Sequence, residues 1–98
     1  MNIQENLKSY ISLSLQRALL GKVFPSMRAF CFNCQGNEID LICIVDEALE
    51  DDDKESVSFI ETELLADLPP EYIVNTSIQI LPLPALIPKL GTFVFWRK

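Results

Sequence analysis

Residues 27–45 read Met-Arg-Ala-Phe-Cys-Phe-Asn-Cys-Gln-Gly-Asn-Glu-Ile-Asp-Leu-Ile-Cys-Ile-Val, and the pair Gly36-Asn37 inside them decides how this chain folds. On either side, Met27 to Cys34 and Glu38 to Val45 are rich in aromatic and branched residues, the composition of strands. Glycine followed by asparagine suits a two-residue type II′ turn, whose twist matches that of the strands it joins. With those two residues as the loop, the register follows: Phe30 faces Cys43, Phe32 faces Leu41 and Cys34 faces Ile39, one apolar set on one face. The opposite face carries Ala29, Cys31, Asn33, Asp40, Ile42 and Ile44. Its mixed character predicts a surface that is partly covered or open to a partner.

Upstream of the hairpin, Ile3, Leu7, Tyr10, Ile11, Ser14 and Ala18 recur at intervals of three and four, with Leu15 and Leu19 widening the stripe, which predicts an amphipathic helix. Asn2 with Glu5 three residues on has the spacing of a capping box, and Gly21 is placed to end the helix in a left-handed conformation. Downstream, a second helix is predicted from about Asp52 to Asp67, with Val57, Ile60, Leu64 and Leu68 on its apolar stripe and Pro69-Pro70 as its stop. Tyr72 to Ile80 alternates as a third strand, with Ile73 the exception, and Thr92 to Arg97 forms a fourth, carrying Phe93, Phe95 and Trp96. Between them, Pro82-Leu83-Pro84-Ala85-Leu86-Ile87-Pro88 cannot supply a regular ladder and reads as an extended, packed connection. The order α-β-β-α-β-β predicts an α+β two-layer sandwich, two helices on one face of a four-stranded mixed sheet, in a single domain over residues 1–98.

Charge is distributed unevenly. Thirteen of the fourteen acids lie between Glu38 and Glu71 with Lys54 the sole base among them, leaving that segment twelve negative charges net, although the chain as a whole is formally at -6. Such a block attracts cationic surfaces and repels phosphate backbones, so direct nucleic-acid binding is disfavoured. Part of it has a local explanation, because Glu50 to Asp53 stand at the start of the second helix, where the backbone amides and helix dipole favour negative charge.

Histidine is absent, which removes imidazole bases, Ser-His and Cys-His dyads and histidine-ligated zinc. With three glycines in the chain, no G-x-G-x-x-G, P-loop or G-x-S-x-G motif occurs. Cys31 and Cys34 form a C-x-x-C, but their odd spacing in a strand sends them to opposite faces; with Cys43 they read as reduced thiols rather than metal ligands. Asp51-Asp52-Asp53 lacks the glycine that a calcium loop needs at its sixth position. Glu61 and Glu63 lie about 200° apart on a helix and do not converge as an acid-base pair. No cofactor, no metal and no catalytic residue is expected. No stretch is long and apolar enough to span a bilayer, and a cytoplasmic location is expected.

The ordered segments Gln16-Arg17-Ala18-Leu19-Leu20-Gly21, Met27-Arg28-Ala29, Asp51-Asp52-Asp53-Lys54-Glu55, Glu61 to Pro69 and Leu81-Pro82-Leu83-Pro84 span nearly the whole chain. Together they resemble small bacterial immunity proteins of contact-dependent growth inhibition systems. The resemblance implies a non-enzymatic protein that binds and blocks a cognate toxin domain, often a basic nuclease. It carries no motif for the contact residues. The charge pattern makes Asp46, Glu47, Glu50, Asp51, Asp52, Asp53 and Glu55 the expected toxin-binding surface, where attraction would speed association. The alternatives are a homo-oligomeric or complex-subunit module joined through Ala29, Ile42 and Ile44 or the aromatic last strand, and a small enzyme using Glu61 or Cys43.

Overall fold

The computed structural model describes residues 6–97. The proposed capping box of Asn2 and Glu5, with Ile3, lies outside them. Six elements follow in the expected order: α1 (Leu7–Leu19), β1 (Met27–Gln35), β2 (Glu38–Val45), α2 (Asp51–Ala66), β3 (Ile73–Ile80) and β4 (Thr92–Trp96). The strands form one mixed sheet in the order β3-β2-β1-β4, in which β3 runs parallel to β2 and the other neighbours are antiparallel.

The central hairpin has the register that its turn dictates. Phe30 pairs with Cys43, Phe32 with Leu41 and Cys34 with Ile39. Gly36 sits at φ +61° while among the described residues no non-glycine residue has a positive φ, the combination of a type II′ turn. Gly21, at φ +74°, closes α1 as its position predicts. β3 starts at Ile73 rather than Tyr72, because the Tyr72 amide donates to the Pro69 carbonyl in the turn that follows α2.

Both helices lie on one face. Ile11, Leu15, Ala18 and Leu19 from α1 and Val57, Ile60 and Leu64 from α2 close over Phe30, Phe32, Ile39, Leu41, Cys43 and Val45. At about 1.5–3 kcal/mol for each large apolar side chain removed from water, this layer supplies most of the driving force for folding.

The opposite face is buried too. β3 and β4 occupy opposite edges of the sheet, so the chain leaving β3 must cross β2 and β1 to reach β4, a span of roughly 14 Å at ordinary strand spacing. The helices hold one face, and the connection crosses the other. There Leu81, Ile87 and Leu90, with Phe93, pack onto Ala29, Cys31, Ile42 and Ile44. This settles the mixed face of the hairpin as covered, and Ala29 and Ile44 are fully buried.

Two side chains hold this strap. Near its start, Arg28 donates through Nη1 to the Leu81 carbonyl at 2.8 Å; near its end, Asn33 donates through Nδ2 to the Leu90 carbonyl at 2.6 Å. Strict alternation would place Arg28 beside Phe30 and Phe32 in the apolar helix layer. A register shift between Met27 and Ala29 avoids this, and such bulges re-aim side chains. Met27 takes the core position, and the guanidinium of the nearly buried Arg28 reaches the strap.

The strap joins β4 through Gly91, where a Cβ would come within 2.5 Å of the Phe32 carbonyl oxygen and 2.7 Å of Asn33 Oδ1. Backbone in a central strand cannot yield. Gly91→Ala is therefore expected to lower stability by about 1–3 kcal/mol, the usual range for overpacking, seen as a lower urea midpoint with an unchanged m-value.

Candidate functional site

The expected toxin-binding residues run from the last turn of sheet into the first turns of α2. Asp46 follows Val45 directly, and its amide donates to the Ser26 carbonyl at 2.9 Å. Glu50 caps α2 in an extended conformation without a side-chain cap bond, and Asp51, Asp52 and Asp53 form the acidic first turn. The helix places these carboxylates at its positive end, where the backbone amides and dipole favour negative charge. Among the described residues no cluster of acidic or cysteine side chains is arranged to hold a metal ion.

Asp46 stands apart from the rest. Its Oδ2 accepts from Arg97 Nη2 at 2.8 Å, and Arg97 also donates to the Pro25 carbonyl, so this carboxylate ties the end of β4 to the end of β2. Among the described residues no ion pair engages Glu47, Glu50, Asp51, Asp52, Asp53 or Glu55. Asp53 is half-buried and the other five are exposed. Six uncompensated carboxylates within nine residues make the strongest local negative field this sequence offers.

Of the six remaining acids of the segment, three have engaged carboxylates. Asp67 accepts from Ser14 Oγ at 2.6 Å and pairs with Arg17 at 3.4 Å, and its carbonyl accepts from the Tyr10 hydroxyl, joining α1 to the end of α2. Glu61 Oε1 accepts from Thr76 Oγ1 at 2.9 Å, and Asp40 Oδ1 from Asn75 Nδ2 at 3.2 Å. No sequence signal pointed to these pairings, since each joins residues far apart in the chain.

The residues considered for catalysis are placed poorly for it. Glu61 is engaged with Thr76, and Glu63 is exposed on the rim of an open groove of about 350 Å³ between the helices. Cys43 is fully buried in the helix-side core, where desolvation above all pushes its thiol up to about 12, and Cys31 on the far face is pushed up to about 11 by burial. Both thiols are protonated, hence weakly nucleophilic, at neutral pH. Cys34, which is exposed, lies on the helix-side face, so the C-x-x-C pair is split across the sheet as its spacing requires.

The interaction face proposed from Ala29, Ile42 and Ile44 is not available, because the strap covers it. In the aromatic last strand, the Phe93 and Trp96 rings meet edge to face at 4.9 Å, and Trp96 is half exposed. No helix among the described residues is long and apolar enough to cross a membrane.

A family model described as MafI2 immunity protein matches residues 8–98. A search of curated proteins finds no match.

The thiols provide a check on this core. One of the three, Cys34, is expected to react with a thiol reagent in the native state, and Cys31 and Cys43 only after unfolding. The folded pKa values of these two exceed the ordinary value of 9.0, so the folded state keeps protons that the unfolded chain releases. Stability is therefore complete below about pH 9 and falls as pH rises toward 11 and 12, each thiol contributing up to about 1.4 kcal/mol per pH unit. Urea midpoints measured from pH 8 to pH 11 test this; Cys43→Ala should flatten the slope.

Proposed function

The chain belongs to the MafI2 immunity protein family, and from that membership we propose that it binds a cognate toxin domain, a basic nuclease, and neutralises it through the acidic junction between β2 and α2. The observation that carries the acidic part is the uncompensated set Glu47, Glu50, Asp51, Asp52, Asp53 and Glu55, opposite in sign to a surface that handles nucleic acid. Asp46 supports this set from behind: its bond to Arg97 fixes the chain where it leaves the sheet.

The protein acts by binding rather than by catalysis. Its buried protonated thiols and engaged Glu61 support that reading. The protein works in the cytoplasm, where thiols such as its three free cysteines remain reduced. Charge steering can raise association to about 10⁸ M⁻¹s⁻¹ at low salt, and an immunity protein benefits from capturing a toxin before it acts.

Glu47 and Glu55 lie outside the first turn of α2, so reversing them leaves the helix N-terminus intact. The double variant Glu47→Lys/Glu55→Lys is expected to slow association with the toxin by about tenfold at low salt, with dissociation changed far less. Stopped-flow mixing across ionic strengths reads both rates. An association rate indifferent to salt would remove the electrostatic part, and cells that gain no protection from expressing the chain would remove the immunity role.

A further inference from the structure

β3 is the outer strand on one side of the sheet, and its backbone pairing can be assigned residue by residue. The Ile73 amide donates to the Asn37 carbonyl at 2.9 Å and the Leu81 amide to the Val45 carbonyl at 2.7 Å. These two bonds bracket the strand, and alternation between them turns the odd-numbered residues' backbone groups toward β2. The amides and carbonyls of Val74, Thr76, Ile78 and Ile80 therefore point away from the sheet, and among the described residues no strand pairs with them.

An open edge of this kind is a template for another strand, and natural sheets protect theirs with charge, proline, bulges or cover. β3 has the sequence Ile-Val-Asn-Thr-Ser-Ile-Gln-Ile, with no charged residue and no proline, and it pairs with β2 without a register shift. The other edge strand, β4, is five residues long and carries an irregularity in its pairing with β1. β3 is thus the unprotected edge. Beside its outward backbone groups lie two isoleucines: Ile78 is 41% exposed and Ile80 54%, although their partners Cys43 and Val45 are fully buried on the same face.

The charge around this edge selects what can add to it. Val45 pairs with Ile80 and leads directly into the acidic junction, while at the other end Glu38 pairs with Ile73 and Glu71 lies two residues before it. An uncharged strand is therefore flanked by carboxylates at both ends. A second copy of this chain would bring the same acids to antiparallel pairing, with a formal charge of -6 on each molecule. A strand bearing cations meets no such repulsion.

We propose that the free edge of β3 is where the toxin docks: an extended segment of the toxin pairs with Val74 to Ile80 as a fifth strand, laying apolar side chains over Ile78 and Ile80 and lysines or arginines over the acidic ends. This rests on the immunity reading and specifies its mode of contact. Backbone bonds supply affinity in such strand addition, and the side-chain contacts supply specificity. The acidic junction then governs the rate of encounter, and the edge governs how long the complex lasts.

The test uses the toxin domain against which the chain protects cells, carrying an inactivating substitution. Amide exchange followed by NMR is expected to show Asn75, Ser77 and Gln79 protected in the free protein, with Thr76, Ile78 and Ile80 exchanging rapidly and slowing at least tenfold in the complex. Ile78→Pro removes an outward amide without removing a bond to β2, and is expected to weaken binding at least tenfold at an unchanged melting temperature. Should that variant fail to fold, Ile78→Lys puts a cation on the edge and is expected to weaken binding comparably. Unchanged exchange of these amides in a complex that still protects cells, with Ile78→Pro or Ile78→Lys binding as the parent does, overturns strand addition and leaves the immunity role standing. Concentration-dependent slowing of the same amides in the free protein, with a dimer mass by light scattering, overturns it in favour of a second copy. Absence of protection in cells overturns both readings.

Discussion

The chain has to carry its last strand from one edge of the sheet to the other, and most of what is distinctive in this molecule follows from that crossing. With β3 and β4 at opposite edges and both helices on one face, the Pro-rich connection runs over the other face and seals it with Leu81, Ile87 and Leu90. An open apolar sheet face would otherwise be a site of association. The crossing also explains two polar side chains in unlikely places: the bulged Arg28 and the exposed Asn33 each bond a strap carbonyl that no ladder could satisfy. With both faces closed, binding is left to the surface of the helices, the junction at one end of the sheet, and the edges.

The acidic segment divides along the same lines. Carboxylates facing the interior joints of the fold are engaged: Asp67 with α1, Glu61 and Asp40 with β3, and Asp46 with Arg97. Those at the start of α2 are not, and they are the ones whose positions next to helix amides make a concentration of negative charge tolerable. Exposed pairs such as Arg17 with Asp67 contribute little to stability. The acidic junction and the outer edge of β3 occupy neighbouring parts of one surface, because the parallel register sets the end of β3 beside the end of β2.

The sequence by itself determined the elements, the hairpin register, the helix-facing core and the placing of negative charge, because each rests on local rules. Gly36-Asn37 specifies a turn, the turn specifies which residues face each other, and apolar spacing specifies which side of each helix is buried. The absence of histidine and of phosphate-binding glycine motifs likewise needs no coordinates. The order of the strands did not follow, since α-β-β-α-β-β is compatible with β4 at either edge, and periodicity carries no information about neighbours in space. Only the tertiary structure showed that Ala29, Ile42 and Ile44 are sealed rather than open, that no strand among the described residues pairs with the outer edge of β3, and that Asp46 is engaged by Arg97, 51 residues away. The physical reason is that burial, edges and ion pairs belong to the arrangement of elements, which the connection across the sheet decides after every element has been locally specified.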